Sequence, residues 1–151
     1  MDVQEVREAL EYLEKAIAMD PDNGMLYVYR AQCKLASKGG SVQQGLVENN
    51  PHMMEATNQA LEELEYAIKI DNQCSIAMEV LSTMYSQKGE PDRAIQYLEM
   101  AIKYARTIQE MTNLQTFLLI LNYQPEINKE ILACGLDPET LQNSLLRQQQ
   151  N

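Results

Sequence analysis

Apolar residues recur every three or four positions along most of the chain, with polar residues between them. In the first segment Val6, Leu10 and Leu13 follow this spacing, which places them on one face of a helix. Proline, glycine and asparagine interrupt the pattern between segments. The pattern predicts helices at about Val3–Asp20, Met25–Ser37, Pro51–Ile70, Ile76–Lys88, Asp92–Arg106, Ile108–Asn122 and Pro125–Cys134, with a last one from Pro138 through Leu145.

Several residues at the segment boundaries predict helix starts and stops. Asn50 is expected to cap a helix that has Pro51 at its first position, and Ser75 to cap the helix from Ile76. Thr107 and Glu110 have the spacing of a capping box. A short helix is expected to start at Pro125 and to end at Gly135.

One stretch of sequence occurs three times in recognisable form. Residues 59–71 recur as 94–105 with a shift of 94 − 60 = 34 residues, and a weaker copy lies at 9–20. The matching positions are Ala60, Leu64, Ala67 and Ile68 against Ala94, Leu98, Ala101 and Ile102. A period of about 34 residues is typical of stacked helical hairpins, in which small side chains let neighbouring helices approach closely.

This organisation predicts an all-α fold of stacked antiparallel helix pairs forming a superhelix. Residues 1–106 are expected to hold half a repeat and two repeats, with an insertion at about 38–50 that forms a mobile excursion. Residues 107–147 no longer follow the repeat and are expected to be capping helices that bury the open end of the stack, followed by a frayed tail at 148–151. Because the leading hairpin lacks its first helix, we expect the sequence to be a piece of a longer array.

Charge and composition exclude several classes of function. The net charge of −10 argues against binding to nucleic-acid phosphates and favours solubility or a basic partner. No apolar run approaches the roughly 20 residues that cross a bilayer, and acidic residues interrupt the N-terminal segment where a signal peptide would be apolar. A soluble chain is expected, with any membrane anchor outside these residues.

The sequence offers no constellation for catalysis or metal binding. Cys33, Cys74 and Cys134 share no short spacing, and His52 is the single histidine. We therefore predict reduced thiols, no zinc site, no cofactor, no catalytic residues and no enzymatic activity.

The pattern of Ala9, Leu13, Ala16 and Pro21, with Tyr27 opening the next hairpin, resembles the tetratricopeptide repeat, a module for protein–protein interaction. The resemblance covers residues 3–106. The runs 23–30, 67–74, 93–95 and 100–103 also resemble the C-terminal end of the seventy-kilodalton Tom receptors, the import receptors of the mitochondrial outer-membrane translocase.

That narrower resemblance implies a role in protein transport at the cytosolic face of the mitochondrial outer membrane. The chain would be part of the region that receives preproteins, chiefly of the carrier type, and would work beside other translocase subunits. In this family the membrane anchor and the repeats that bind chaperones lie upstream, so neither is expected here. The longer insertion at Lys38–Asn50 departs from the family pattern.

In a tetratricopeptide superhelix the first helix of each hairpin lines the concave face. The positions expected to face a bound peptide are Met25, Val28, Tyr29, Gln32, Ile76, Glu79, Val80 and Thr83. This set would accept the apolar face of an amphipathic helix, with a basic residue near Glu79. Packing against the next helix is an equally good interpretation of several of these side chains.

Two other functions are open at this stage. A generic tetratricopeptide scaffold or chaperone co-factor would use lysine, asparagine and arginine on the inner face to bind terminal carboxylates, whereas Val28, Gln32, Glu79 and Thr83 are expected there. An enzyme is the least favoured class, because the carboxylate pair Glu62 and Glu63 has no histidine, metal cluster or glycine-rich loop beside it.

Overall fold

The computed structural model describes residues 3–39 and 51–137, and all regular structure in these two ranges is helical. Their helices are α1 (Val3–Met19), α2 (Gly24–Ser37), α3 (Pro51–Ile70), α4 (Ser75–Gln87), α5 (Pro91–Tyr104) and α6 (Ile108–Ala133). The first five agree with the helices predicted from periodicity to within two residues at each end. The all-α prediction is confirmed.

Each helix packs chiefly against the next one along the chain, and α2 also touches α4. The pairs α2 with α3 and α4 with α5 lie where the sequence predicts the two repeats, with α1 before them and α6 after them. This sequential packing is the arrangement of a helical-hairpin stack.

The repeated alanines and leucines form the contacts between these helices. Ala60, Ala67, Ala94 and Ala101 are no more than 1% exposed, and the leucines of the same motif are equally buried. Small side chains at these sites let helix axes approach, while the leucines fill the space between them. The packing role predicted for the motif is confirmed.

Ion pairs and a tyrosine connect α1 to the first repeat. Arg30 on α2 pairs with Glu14 on α1 at 3.1 Å and also with Glu63 on α3, whose other carboxylate oxygen lies 3.1 Å from Lys34. The Tyr27 hydroxyl donates to a carbonyl oxygen in the turn after α1, at 2.9 Å. The exposed Glu14 and the turn after α1 therefore both contact α2, which positions α1 on the stack.

The helix starts show which capping predictions hold. Thr107 caps α6, since its Oγ1 accepts a hydrogen bond from the Glu110 backbone N–H at 3.1 Å, as the capping-box spacing predicted. The prediction for Ser75 is wrong: Cys74 is the N-cap of α4 and offers no side-chain hydrogen bond. Ser75 already lies in the helix, where its hydroxyl is used by Glu110 of α6.

The predicted break at Pro125 is also wrong, because α6 continues through this proline as one helix to Ala133. Proline removes one backbone hydrogen bond but leaves those on either side in place. Its immediate neighbours Gln124 and Glu126 are good helix formers. Gln124 Nε2 also donates to Asn128 Oδ1 at 2.8 Å, which bridges the turn that contains the proline. Gly135, with a φ of 75°, follows the helix end as predicted.

Several predictions fall outside the described residues. They are the excursion within 40–50, the cap at Asn50, the helix from Pro138 through Leu145, and the tail at 148–151. The assignment of residues 107–147 as capping helices stays a prediction.

Candidate functional site

The first turns of α2, α4 and α6 surround a cavity of about 420 Å³. Three of the predicted peptide-facing residues, Met25, Ile76 and Glu79, lie in its wall. The complete lining is Met25, Asp71, Gln73, Cys74, Ser75, Ile76, Glu79, Arg106, Thr107, Gln109, Glu110 and Asn113. The volume is within the range of ligand pockets. Most of the lining residues are polar, and Met25, Cys74 and Ile76 supply the apolar part.

The other five predicted residues are distributed along the same two helices. Val28 and Val80 are buried in the core at 0% and 9% exposure, so their side chains pack between helices. Tyr29 is 48% exposed, and Gln32 and Thr83 are half-buried. The use of the eight residues as one binding set stays a prediction.

A close contact between α2 and the end of α3 positions Met25 at the cavity. A Cβ at Gly24 would lie 2.9 Å from the Asp71 Cβ and 3.2 Å from the Ala67 carbonyl oxygen, so a side chain at this position requires the helices to shift. Asn23 caps α2, with its Oδ1 accepting from the Met25 backbone N–H at 3.2 Å. The start of α2, where Met25 lies, is therefore fixed by the Asn23 cap and by the close contact of Gly24 with the end of α3.

Glu110 forms a hydrogen-bond network at the start of α6. Ser75 Oγ donates to Glu110 Oε1 at 2.5 Å, and the Arg106 backbone N–H donates to Glu110 Oε2 at 2.9 Å. These two hydrogen bonds, that from Ser75 first, lower the pKa of Glu110 below its ordinary value. Glu110 is therefore ionised at neutral pH and fixed in orientation.

Glu79 is another carboxylate of this wall, and its pKa is shifted in the opposite direction to that of Glu110. Its half-buried position, followed by the negative charge of Glu110, raises the pKa of Glu79 above its ordinary value. Burial opposes ionisation because it removes the carboxylate from water, and Glu110 opposes it by like-charge repulsion. A cation close to Glu79 would favour its ionised form.

Sequence reasoning missed the contribution of α6, which supplies Gln109, Glu110 and Asn113. The sequence pattern assigns them to the capping helices at the end of the stack, because α6 does not carry the alanine motif. A usable signal was present: α6 begins about one repeat length, roughly 34 residues, after the start of α4. That spacing places α6 as the next first helix, which lines the same face as α2 and α4.

The described residues were also compared with the requirements of a metal site, a reactive cysteine and a membrane-spanning helix. No group of His, Cys, Asp and Glu within residues 3–39 and 51–137 is arranged to hold a metal ion. The three cysteines are free, and burial raises the pKa of the Cys33 and Cys74 thiols, which makes them less reactive. None of the described helices is long and apolar enough to cross a bilayer.

Stacked helix pairs joined through alanine contacts, with a cavity on the face of the first helices, are the architecture of tetratricopeptide repeats. The family model for the tetratricopeptide repeat matches residues 2–23 and 77–108. The chain thus contains tetratricopeptide repeats, and these cover α1, most of α4 and all of α5.

The chain is also homologous to a mitochondrial protein. It is 30% identical over 140 residues to the human "Mitochondrial import receptor subunit TOM70", an alignment that covers 93% of this chain and 20% of the receptor. The rat and mouse receptors of the same name match with the same identity and coverage. The chain therefore spans about a fifth of the length of these relatives.

Proposed function

We propose that this chain is the preprotein-binding part of a mitochondrial protein import receptor. The observation that carries the proposal is the cavity between the first turns of α2, α4 and α6, on the face where tetratricopeptide repeats bind peptides. An extended or helical segment lying along this face places one side of its surface against the cavity. The proposed activity is binding, without catalysis.

The chemistry of the wall selects an amphipathic segment. Met25 and Ile76 supply an apolar surface, and the flexible methionine adapts to side chains of different shape. Glu79 and Glu110 supply negative charge where a lysine or arginine of the segment can pair with them. The ligand class is therefore an apolar helix face with a basic residue beside it.

The relatives suggest where this binding takes place. They are named import receptor subunits of mitochondria, and the chain matches one fifth of their length. We place the chain at the cytosolic face of the outer membrane, with carrier-type preproteins as ligands and other translocase subunits as neighbours. Chaperone binding, in this proposal, belongs to repeats elsewhere in the receptor.

The cavity disfavours the alternative of a scaffold or chaperone co-factor that binds terminal carboxylates. Such a site needs several cations that converge on the ligand. Here Asp71, Glu79 and Glu110 lie in the wall and Arg106 is its one basic residue among those described. An anionic ligand would meet net repulsion.

Fluorescence anisotropy tests the proposal with a labelled helical segment of a carrier preprotein and the full chain. We expect saturable binding that Glu79→Gln weakens about tenfold, because a charge-assisted hydrogen bond contributes about 1.5 kcal/mol. The matched control is Glu99→Gln, a charge removed from the exposed surface of α5. Absence of saturable binding, or equal weakening by both variants, would contradict the proposed function.

A further inference from the structure

A further cavity of about 420 Å³ lies between α3 and α5, and none of its lining residues belongs to the cavity described above. We call it the α3–α5 groove. Its lining is Glu65, Ile68 and Lys69 from α3 with Arg93, Gln96, Tyr97 and Met100 from α5. Two cations and one carboxylate line the groove, whereas three carboxylates and one cation line the first cavity. The groove is therefore a locally basic site on a chain whose net charge is −10.

Two tyrosines hold the carboxylate of the groove in place. The Tyr85 hydroxyl on α4 donates to Glu65 Oε1 at 2.8 Å, and the Tyr97 hydroxyl donates more weakly to the same oxygen, at 3.5 Å. The two rings are stacked, with centroids 5.6 Å apart and planes 4° from parallel. Arg93 Nη1 donates to the Tyr85 hydroxyl at 3.3 Å. This network joins α3, α4 and α5 and fixes three side chains of the groove relative to one another.

The same network leaves Lys69 available to a ligand. Glu65 lies four residues before Lys69, a spacing at which glutamate and lysine pair on a helix. Glu65 Oε1 accepts from the tyrosines instead, and Lys69 has no ion pair with any residue in the described ranges. Arg93 lies 3.4 Å from Glu90, but this pair is exposed to water and contributes little. Both cations are therefore free to bind a carboxylate from another molecule.

An apolar surface lies beside the two cations. Met100 is 41% exposed, Ile68 is half-buried, and stacking on Tyr85 fixes the ring of Tyr97. The flexible thioether of Met100 adapts to side chains of different shape. A ligand that matches the whole groove carries carboxylates next to an apolar side chain.

We propose that the α3–α5 groove binds an acidic segment of a partner protein, in which aspartate or glutamate residues flank an apolar side chain. The carboxylates pair with Lys69 and Arg93, and the apolar side chain lies against Met100. The binding site lies on helices that do not line the first cavity, so it does not depend on the proposed function.

Charge complementarity favours a short segment over larger acidic occupants. Charges further apart than about 8 Å are largely screened at physiological ionic strength, so a short segment meets chiefly the local charge of the groove. A second copy of the chain would bring a further net charge of −10 close to the first, and an anionic membrane would face the same acidic surface. Both meet repulsion that a short segment avoids.

Fluorescence anisotropy with the full chain tests this site. The probe is a fluorescein-labelled peptide in which aspartates flank one leucine, and a second probe has asparagines in place of the aspartates. We expect saturable binding of the first probe and binding about tenfold weaker of the second, because the charge-assisted hydrogen bonds are lost. Lys69→Glu should weaken binding of the first probe about tenfold, because attraction becomes repulsion. The matched control is Lys129→Glu, the same change of charge on the exposed surface of α6, which should leave binding unchanged.

A variant that gains binding guards against loss through misfolding. Gln96 is exposed and lines the groove, so Gln96→Lys adds a third cation and should strengthen binding of the aspartate probe about threefold. Absence of saturable binding, equal binding of both probes, or equal weakening by Lys69→Glu and Lys129→Glu would overturn the proposal. Unchanged binding by Gln96→Lys would also overturn it.

Two further measurements identify other occupants of the groove. Analytical ultracentrifugation of the unlabelled chain detects a dimer, and flotation with phosphatidylserine vesicles detects binding to anionic lipid. A dimer that Lys69→Glu dissociates would assign the groove to a second copy of the chain. Vesicle binding that Lys69→Glu abolishes would assign it to lipid headgroups. Either result would overturn the assignment to a partner protein.

Discussion

Ser75 on α4 donates a hydrogen bond of 2.5 Å to the carboxylate of Glu110 on α6. This bond connects the start of one first helix to the start of the next, and both residues lie in the wall of the cavity. It also explains why Ser75 does not cap α4: the hydroxyl that a cap would use is taken by a carboxylate from another hairpin.

Removing the Ser75 hydroxyl should destabilise the fold and free Glu110. Ser75→Ala is expected to cost about 1.5 kcal/mol of unfolding free energy, measured by urea denaturation, because the lost hydrogen bond is to a charged group. The pKa of Glu110 should rise toward its ordinary value in an NMR titration. Thr116→Ala, on the exposed side of α6, serves as the control. A Glu110 titration identical to that of the parent chain would show that Ser75 does not hold this carboxylate.

The sign of the pH effect at Glu110 follows from its lowered pKa. The stability that this group contributes is present above the ordinary value of 4.5 and is lost as the pH falls through the lower folded value. Urea midpoints measured below pH 4.5 should therefore differ less between Ser75→Ala and the parent chain than those at pH 7.

Binding of a basic amphipathic peptide should weaken on acidification at a pH above 4.5. Burial raises the pKa of Glu79, so this carboxylate becomes protonated, and loses its attraction for a cation, earlier than an exposed glutamate would. Anisotropy titrations between pH 7 and the acid limit of folding provide the measurement. The Glu79→Gln variant should lose this pH dependence, and an unchanged profile in that variant would assign the effect to another group.

Gly24→Ala should destabilise the chain by about 1 to 3 kcal/mol, the range for overpacking a close contact. The added methyl group would lie within 3.3 Å of the end of α3 and of the turn that follows it. Chemical denaturation measures the effect, with Ser37→Ala at the exposed end of the same helix as the control. Equal midpoints for the two variants would mean that α2 relaxes at this contact without cost.

Ser82→Ala should stabilise the chain. The Ser82 hydroxyl is completely buried and has no hydrogen-bond partner among the described residues. Leaving a polar group buried and unpaired costs about 1 to 3 kcal/mol, and the small void left by the substitution offsets part of the gain. A contrasting substitution is Thr57→Ala, which removes a buried hydroxyl that donates to the Met53 carbonyl at 2.8 Å. Thermal unfolding should move the two variants in opposite directions.

Pro125→Ala should raise the thermal midpoint. The substitution restores a backbone N–H donor in the interior of α6, where proline costs about 3 kcal/mol relative to alanine. If the midpoint does not rise, the helix has adapted to the proline by a local change that alanine does not reverse.

The sequence predicted the bounds of the first five helices well, because the apolar spacing agrees with the proline, glycine and asparagine residues that separate the segments. The alanines at 60, 67, 94 and 101 predicted close contacts between helices, because small side chains let helix axes approach. The helix start predicted at Pro125 was wrong, because the neighbouring helix formers Gln124 and Glu126 outweigh the loss of one backbone hydrogen bond. The proline alone does not show that the backbone hydrogen bonds on either side of it are kept.

The cavity was only partly predictable, for a physical reason. Repeat register indicates which face a helix presents, and Met25, Ile76 and Glu79 of the predicted set lie in the cavity wall. It does not show how deeply a side chain is covered, and Val28 proved to be core. The contribution of Glu110 depends on how two hairpins are placed relative to one another, which no local pattern encodes.

The wall of the cavity comes from the ends of helices that belong to successive hairpins, and no single hairpin contains it. Its width is therefore set by the angle between neighbouring hairpins, and a small change in the curvature of the stack widens or narrows it. The Ser75–Glu110 hydrogen bond spans that junction, so the contact that stabilises the fold also restrains the separation of the two helix starts that form the wall.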